Sequence, residues 1–339
     1  MRNPPVSVVI PTHNRGPYIE AALASVLNQT FADFEVVVVD DGSTDNTAQA
    51  LKKLQGYDPR VRVVDNTGRH GAAAARNTGI HAARGEWIAF LDSDDAWAPG
   101  KLEKFMAATG GDALLIGSDY RMIDKDTGQH QTMLEFVREV MLPWWQNDQY
   151  ARRIIDCDTL LKDGFLLEDK QTIIGMTIGG YLWPHTSSVV VRKAAVDAAG
   201  GFNEKLPRTE DMDLWLKILQ RGSYVFINEV LGDYDITGRT AVSGDRYRTT
   251  DSKRRFDAYI EAYLHLKFAR SMPRRFPLNR DQAAFLFRRL ASHHRLCGYY
   301  ARGDRPVSCA WHYACALTMS PSHRRQLRHN SARFFQNPW

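Results

Sequence analysis

Apolar positions along the first 245 residues fall into two kinds of run. Residues 6–10, 34–39, 87–91, 113–118 and 187–192 have strand character, and 87–91 is apolar almost without alternation. Such a run reads as a strand covered on both faces. A further short strand is expected at residues 60–64, and residues 224–230 read as an edge strand. Between the strands the apolar spacing is helical. Ile19, Leu23, Val26 and Leu27 predict a helix through Asn28, with Pro17 in its first turn. Residues 71–79 open a helix of small side chains suited to close packing, residues 99–102 start another, and residues 193–199 form one more. Leu214, Ile218 and Leu219 follow helical spacing behind Thr209, the expected N-cap, and Ser43 or Thr44 is expected to cap the helix after the second strand. The repeated unit of strand, polar loop and helix argues an α/β fold. Its sheet is expected to be mostly parallel, with helices on both faces and ligand-carrying loops at the strands' C-terminal edge.

The pattern then changes. Residues 119–180 show short apolar runs without a clear period and are expected to form an acceptor-facing lobe. Trp144 and Trp145 lie there, either as core packing or as a platform for a sugar ring. Beyond Gly244 the spacing is helical alone, carried by Phe256, Ile260, Tyr263 and Leu264, then by Phe285, Leu286 and Leu290, and by Trp311, Ala314 and Leu317. Residues 1–245 are therefore expected to form one domain, with halves at 1–118 and 119–245, and residues 246–339 a helical extension.

Charge sharpens that division. Residues 246–339 hold 19 Lys plus Arg against 5 Asp plus Glu, a net of +14, while the rest holds 25 against 34, a net of −9. A basic tail of this kind meets anionic lipid, nucleic acid or only water. It lacks the aromatic interleaving or module of a nucleic-acid binder, so no nucleic-acid partner is expected. No apolar run approaches the length of a membrane span and the N-terminus lacks the apolar core of a signal peptide, so a cytoplasmic protein is expected. Cys157, Cys297, Cys309 and Cys315 form no Cys-x-x-Cys pair and are expected to be free thiols.

Candidate chemistry sits after the strands. Residues 87–91 run straight into Asp92-Ser93-Asp94-Asp95. In an extended chain Asp92 and Asp94 project from one face and can approach one hard cation; the plain alternative is a solvated acidic turn. Asp40-Asp41-Gly42-Ser43 likewise reads first as a turn. Neither a Walker loop nor a Gly-x-Gly-x-x-Gly fingerprint follows the first strand. Asp211 lies in the first turn of a helix, where the dipole favours a carboxylate and is expected to keep it ionised at neutral pH, as a general base must be.

Taken together, VSVVIPTHN (6–14), DDGSTD (40–45), ARNTG (75–79), FLDSDD (90–95), GGFNE (200–204) and TEDMDLW (209–215) resemble the family 2 glycosyltransferases of the GT-A fold, a Rossmann-like α/β architecture. The resemblance covers roughly residues 5–240 and leaves the tail uncovered. It implies an inverting enzyme that moves a single sugar from a nucleoside diphosphate sugar, with UDP-sugars as the expected donors. The acceptor would be a hydroxyl of a glycan or lipid-linked molecule in surface polysaccharide synthesis. By the same resemblance residues 1–118 form the nucleotide-sugar half, with Pro11, Thr12, His13, Asn14, Asp41, Arg76, Asp92 and Ser93 as binding residues. His13 takes the position of a base-stacking aromatic, Asp41 accepts from the base, and Arg76 lies near the diphosphate. Asp92 and Asp94 would hold Mn²⁺ or Mg²⁺, and Asp211 would be the catalytic base in the acceptor half, 119–245. Thr237 stands where many relatives carry a metal-binding His. The basic tail would hold the enzyme at the inner face of an anionic membrane or at its acceptor. The alternative is a catalytically silent protein of the same fold that binds nucleotide sugars or serves assembly.

Overall fold

The computed structural model describes residues 3–141, 146, 184–206, 209–236, 286, 290 and 294. Strands β1 (Val6–Thr12), β2 (Phe34–Asp40), β3 (Val61–Asp65) and β4 (Trp87–Phe90) alternate with helices α1 (Gly16–Leu27), α2 (Thr47–Gln55) and α3 (Ala72–Ala82). Then follow β5 (Ala96–Trp97), α4 (Lys101–Ala107), β6 (Ala113–Ile123), β7 (His130–Thr132), α5 (Met133–Phe136) and a π turn at Val137–Met141. After a 3-10 turn at Thr186–Ser188 come β8 (Val189–Arg192), α6 (Lys193–Ala199), α7 (Glu210–Leu219) and β9 (Ser223–Asp235).

All the strands among the described residues join one sheet in the order β3-β2-β1-β4-β8-β6-β9-β5, with β7 on β6. The first four strands are parallel. The second half is mixed: β8 runs antiparallel to β4 and β6, and β9 runs parallel to β6. Its first part, beyond the reach of the two-residue β5, is an edge among the described residues, as its sequence suggested.

Parity within each apolar run assigns the two faces. Val6, Val8, Ile10, Val36 and Val38 form a buried cluster with Ile19, Leu23 and Val26 of α1. Val37 and Val39 point the other way, onto Ala75 of α3. Burying each such side chain is worth about 1.5–3 kcal/mol, so the unbroken runs pin the strands between two helical layers. Gly79 lets α3 lie close on the sheet, since a Cβ there would run into Val9 and sit 3.1 Å from Val39.

The chain travels outward from β1 through β2 to β3 and then returns, so that β4 lies on the far side of β1. That reversal is a switch point, where open α/β sheets leave a crevice at the strands' C-terminal ends. Register fills it: Thr12 aligns with Asp40, Asp40 with Asp65, and Val9 with Phe90. The loops that begin at His13, Asp41, Asn66 and Leu91 therefore share one edge.

The predicted cap of α2 is corrected. Ser43 is engaged elsewhere, donating through N and Oγ to Asp40 Oδ1, and neither it nor Thr44 starts α2; Asp45 Oδ1 instead accepts the Thr47 amide at 2.9 Å. Thr209 stands at the N-cap of α7, but at φ 65° its side chain makes no cap bond. Left-handed backbone at a β-branched residue costs on the order of 1–3 kcal/mol.

Among the described residues, no helix is long and apolar enough to cross a membrane. Leu286, Leu290 and His294 are helical and buried. Trp144, Trp145, the four cysteines, Thr237 and the rest of the basic tail lie outside the described residues.

Candidate active site

The loop after β1 is tied to the loop after β2 by Asn14. Its Oδ1 accepts the Thr44 amide at 2.8 Å, its own amide donates to Ser43 Oγ at 3.0 Å, and its φ of 52° suits an Asn. His13 is exposed and its Nδ1 lies 2.9 Å from the Asp41 carbonyl. Pro11 and Thr12 are buried inside β1, where they support the crevice floor. Asp41 is set as an acceptor. Asn66 Nδ2 and the Gly71 amide donate to it at 2.6 and 2.7 Å, and His70 Nδ1 lies 3.1 Å away. Burial opposes its ionisation, yet these bonds hold its carboxyl below the usual range. A fixed carboxylate of this kind selects a partner that offers N–H groups.

The chain leaves β4 as a turn, with the Asp95 amide donating to the Asp92 carbonyl at 3.1 Å. This corrects the extended geometry expected for Asp92 and Asp94: the turn carries Asp92 toward Asp95. Oxygens of these two and a ring nitrogen of His185 lie within 4.8 Å of one another, while Asp94 stands beside them, 3.9 Å from Arg15 Nε. Ser93 is buried in the same turn.

The charges show why the turn is unusual. Burial, then the Asp92 charge, pushes the Asp94 carboxyl up to about 6. Burial, then Asp92 and Asp94, raises Asp95 well above the ordinary range. Burial also works against Asp92, but Arg76 and then His185 hold it below its ordinary value. Carboxylates that crowd one another in this way are a mark of a functional site, and a divalent cation would relieve them. Burial takes the His185 imidazole down to about 4, leaving it neutral, the form that ligates metals. Its ring is wedged against Tyr234 at 4.2 Å and Tyr120 at 5.3 Å. Two oxygen donors and a neutral imidazole, with a third carboxylate beside them, fit a divalent cation.

Asp211 lies 8% exposed in the first turn of α7. Its Oδ1 accepts the Met212 amide at 2.8 Å and its Oδ2 is 3.5 Å from Thr186 Oγ1. Burial, then the Glu210 carboxylate, pushes its pKa up to about 7, overriding the dipole that was expected to keep it fully ionised. That value suits a base working at neutral pH better than an ordinary carboxyl would. Arg76 joins the two centres: its guanidinium reaches Asp92 Oδ1 at 2.7 Å and Glu210 Oε1 at 2.8 Å.

Four participants escaped the sequence reading. Glu210 and Asp95 had a signal, since each adjoins a residue already singled out. His185 had none, because nothing in its surroundings in sequence marks a ligand. Lys101 reads as a solvated first residue of α4 yet is fully buried, 3.4 Å from Ser118 Oγ and 4.6 Å from the Phe105 ring. Burial draws its ammonium down to about 7, and the Asp95 charge opposes this.

Residues 7–163 match the family model described as Glycosyl transferase family 2. The chain is 47% identical over 98 residues, 29% of its length and 38% of the other's, to the Escherichia coli UDP-Glc:alpha-D-GlcNAc-diphosphoundecaprenol beta-1,3-glucosyltransferase. A Haemophilus influenzae protein described as an uncharacterized glycosyltransferase aligns over 266 residues at 29% identity, covering 76% of this chain and 77% of that one. The chain spans 38–40% of the curated relatives matched at 46–47% identity. Among solved structures, S. aureus TarS 1–349 in complex with UDP superposes with a TM-score of 0.54 at 20% identity, over 96% of this chain and 91% of that one. The Pyrobaculum calidifontis mannosyltransferase PcManGT in complex with GDP-Man and Mn²⁺ gives 0.57 at 19% identity, over 100% and 82%. These two likenesses are of fold.

Proposed function

We propose, from the premise that the chain belongs to glycosyl transferase family 2, that it is an inverting glycosyltransferase acting on a nucleoside diphosphate sugar. The observation that carries this reading is the meeting of an acidic, cation-ready turn and a separate buried carboxylate. Asp92 is close enough to Asp211 for its charge to help raise the Asp211 pKa, yet the two have opposite pKa directions. Pairs of carboxylates driven apart in this way mark divided roles.

In this reading Asp41 accepts an N–H of the base, with His13 and His70 on either side, and Asn14 keeps the two loops in register. Asp92, Asp94, Asp95 and His185 would hold a divalent cation, which when bound supplies Lewis-acid stabilisation of the departing diphosphate. Asp211 holds the acceptor hydroxyl and takes its proton as the oxygen bonds to the anomeric carbon and the bond from that carbon to the diphosphate oxygen breaks. With the acceptor itself as nucleophile there is a single displacement, hence inversion. UDP is the donor nucleotide proposed and one sugar is moved per encounter. Titration calorimetry with UDP, GDP and their sugars, each with Mn²⁺, tests the donor assignment. Saturable binding of UDP supports it, and binding of GDP alone or of neither contradicts it.

Asp41→Ala is expected to weaken UDP binding with and without Mn²⁺, because the lost contact is to the base. A loss confined to the Mn²⁺ titration would remove Asp41 from the base site.

The acceptor proposed is a hydroxyl of a glycan or lipid-linked sugar at the inner membrane face. The name of the Escherichia coli relative, which includes a diphosphoundecaprenol acceptor, and the +14 balance of residues 246–339 support this. Each Lys or Arg near an anionic bilayer contributes about 1 kcal/mol. The protein is therefore expected to co-sediment with anionic vesicles at low salt and to be released at high salt. No binding at low salt would remove the membrane role.

A further inference from the structure

Arg76 was expected beside the diphosphate, but its guanidinium is already committed. Nη2 lies 2.7 Å from Asp92 Oδ1 and Nη1 2.8 Å from Glu210 Oε1, with the side chain only 6% exposed. Nε is buried without a partner among the described residues, and the ring of Phe202 closes one face at 5.4 Å. Shared between two carboxylates, its charge is already largely neutralised. What this arrangement does well is fix distance. The planar fork offers two N–H directions at a set angle, which a lysine cannot reproduce.

The next residue of α3 works on the same partner segment. Asn77 Nδ2 donates to the Phe202 carbonyl and to Glu204 Oε1, both at 2.9 Å, and its Oδ1 accepts the Phe202 amide at 2.8 Å. Gly201 is required there, because at φ 70° a Cβ would lie 2.7 Å from Asn77 Oδ1. Phe202 in turn packs edge-on to Phe90 at the end of β4, at 5.3 Å, and to Trp215 of α7 at 5.9 Å. Two consecutive residues of α3 thus grip chain 125 to 134 positions further on.

We propose that Arg76 is a positioning residue, whose bridge from Asp92 to Glu210 sets the placement of the Asp211 carboxylate against the donor turn. Asp211 is the residue after Glu210, so any shift of Glu210 moves the base. Buried charges of this kind are costly to desolvate and are retained in some proteins for the specificity they impose. The inference rests on the transferase reading above.

The test is a double-mutant cycle of Arg76→Lys and Glu210→Gln, with kcat, the Kd for UDP with Mn²⁺, and the thermal midpoint measured for all four proteins. Glu210→Gln keeps size and shape, so it reports even if Arg76→Lys folds poorly. Each single variant is expected to lose about 10²-fold in kcat, the scale of a misplacement near 1 Å. UDP affinity should stay within about threefold in Glu210→Gln, which leaves the Arg76 contact to Asp92 in place, and the double variant should be no worse in kcat than the worse single one, as for residues acting through one contact. An additive cycle overturns the inference. So does an Arg76→Lys protein that loses UDP affinity as strongly as kcat while Glu210→Gln is silent, since that pattern belongs to a direct diphosphate contact. A wild type that binds no nucleoside diphosphate overturns the transferase reading itself, and this inference with it.

Discussion

Asp211→Asn lowers kcat by at least about 10²-fold, the usual scale for a lost general base, and leaves the Kd for UDP with Mn²⁺ nearly unchanged. The amide keeps the acceptor geometry toward the Met212 amide but cannot take a proton. The wild-type pH profile carries the same argument. Burial and the neighbouring Glu210 charge raise the Asp211 carboxyl to about 7, so the active, deprotonated form is lost as pH falls through neutrality. The rate is therefore expected to drop on the acid side of about pH 7, and the residual rate of Asp211→Asn to lack that limb. Donor affinity falling in parallel with kcat would mark Asp211 as a residue that only starts the helix.

Asp94→Asn removes the Mn²⁺-dependent part of UDP binding. Of the three carboxylates in the turn it is the cleanest to change. Asp92 also anchors Arg76, and Asp95 also accepts Ser187 Oγ at 2.5 Å and the Asp235 amide at 3.2 Å, so their loss disturbs packing as well as charge. Asp94 has its Arg15 ion pair at 3.9 Å, and it titrates near 6 because burial and Asp92 resist its ionisation. A bound cation reverses that resistance. Even outer-shell partners of metal ligands are worth about 10–100-fold in affinity, so the loss here should be at least that large. Calorimetry with UDP across a Mn²⁺ series checks it; unchanged affinity in the variant would leave Asp92, Asp95 and His185 as the set.

The first, parallel half of the sheet was legible because each of its signals is local. A β-branched run such as residues 34–39 can be buried on both faces only as an interior strand, and the Asp40-Asp41-Gly42 turn can only follow it. Asp41, Asp92 and Asp211 were visible as carboxylates at the ends of such elements. What was not legible is what depends on contacts distant in sequence. His185 reaches the acidic turn because β8 pairs beside β4, a neighbour relation that no spacing encodes. The two acceptors of Arg76 could not be read either, because they lie 16 and 134 residues away. The Asp211 pKa was misjudged for the same reason. A helix dipole can be read from sequence, but the burial that overrides it comes from packing.

The measurement that bears most directly on the central claim is release of nucleoside diphosphate from the donor that calorimetry identifies. It is followed for wild type with Mn²⁺, for wild type with chelator and for Asp211→Asn, with a glycan or lipid-linked acceptor and with water as the default acceptor. The account predicts steady release by wild type with Mn²⁺ and near-background release in both other samples. A protein that binds the nucleotide sugar yet releases no more nucleoside diphosphate than Asp211→Asn under any of these conditions would contradict it, and would leave a nucleotide-sugar-binding protein of the same fold.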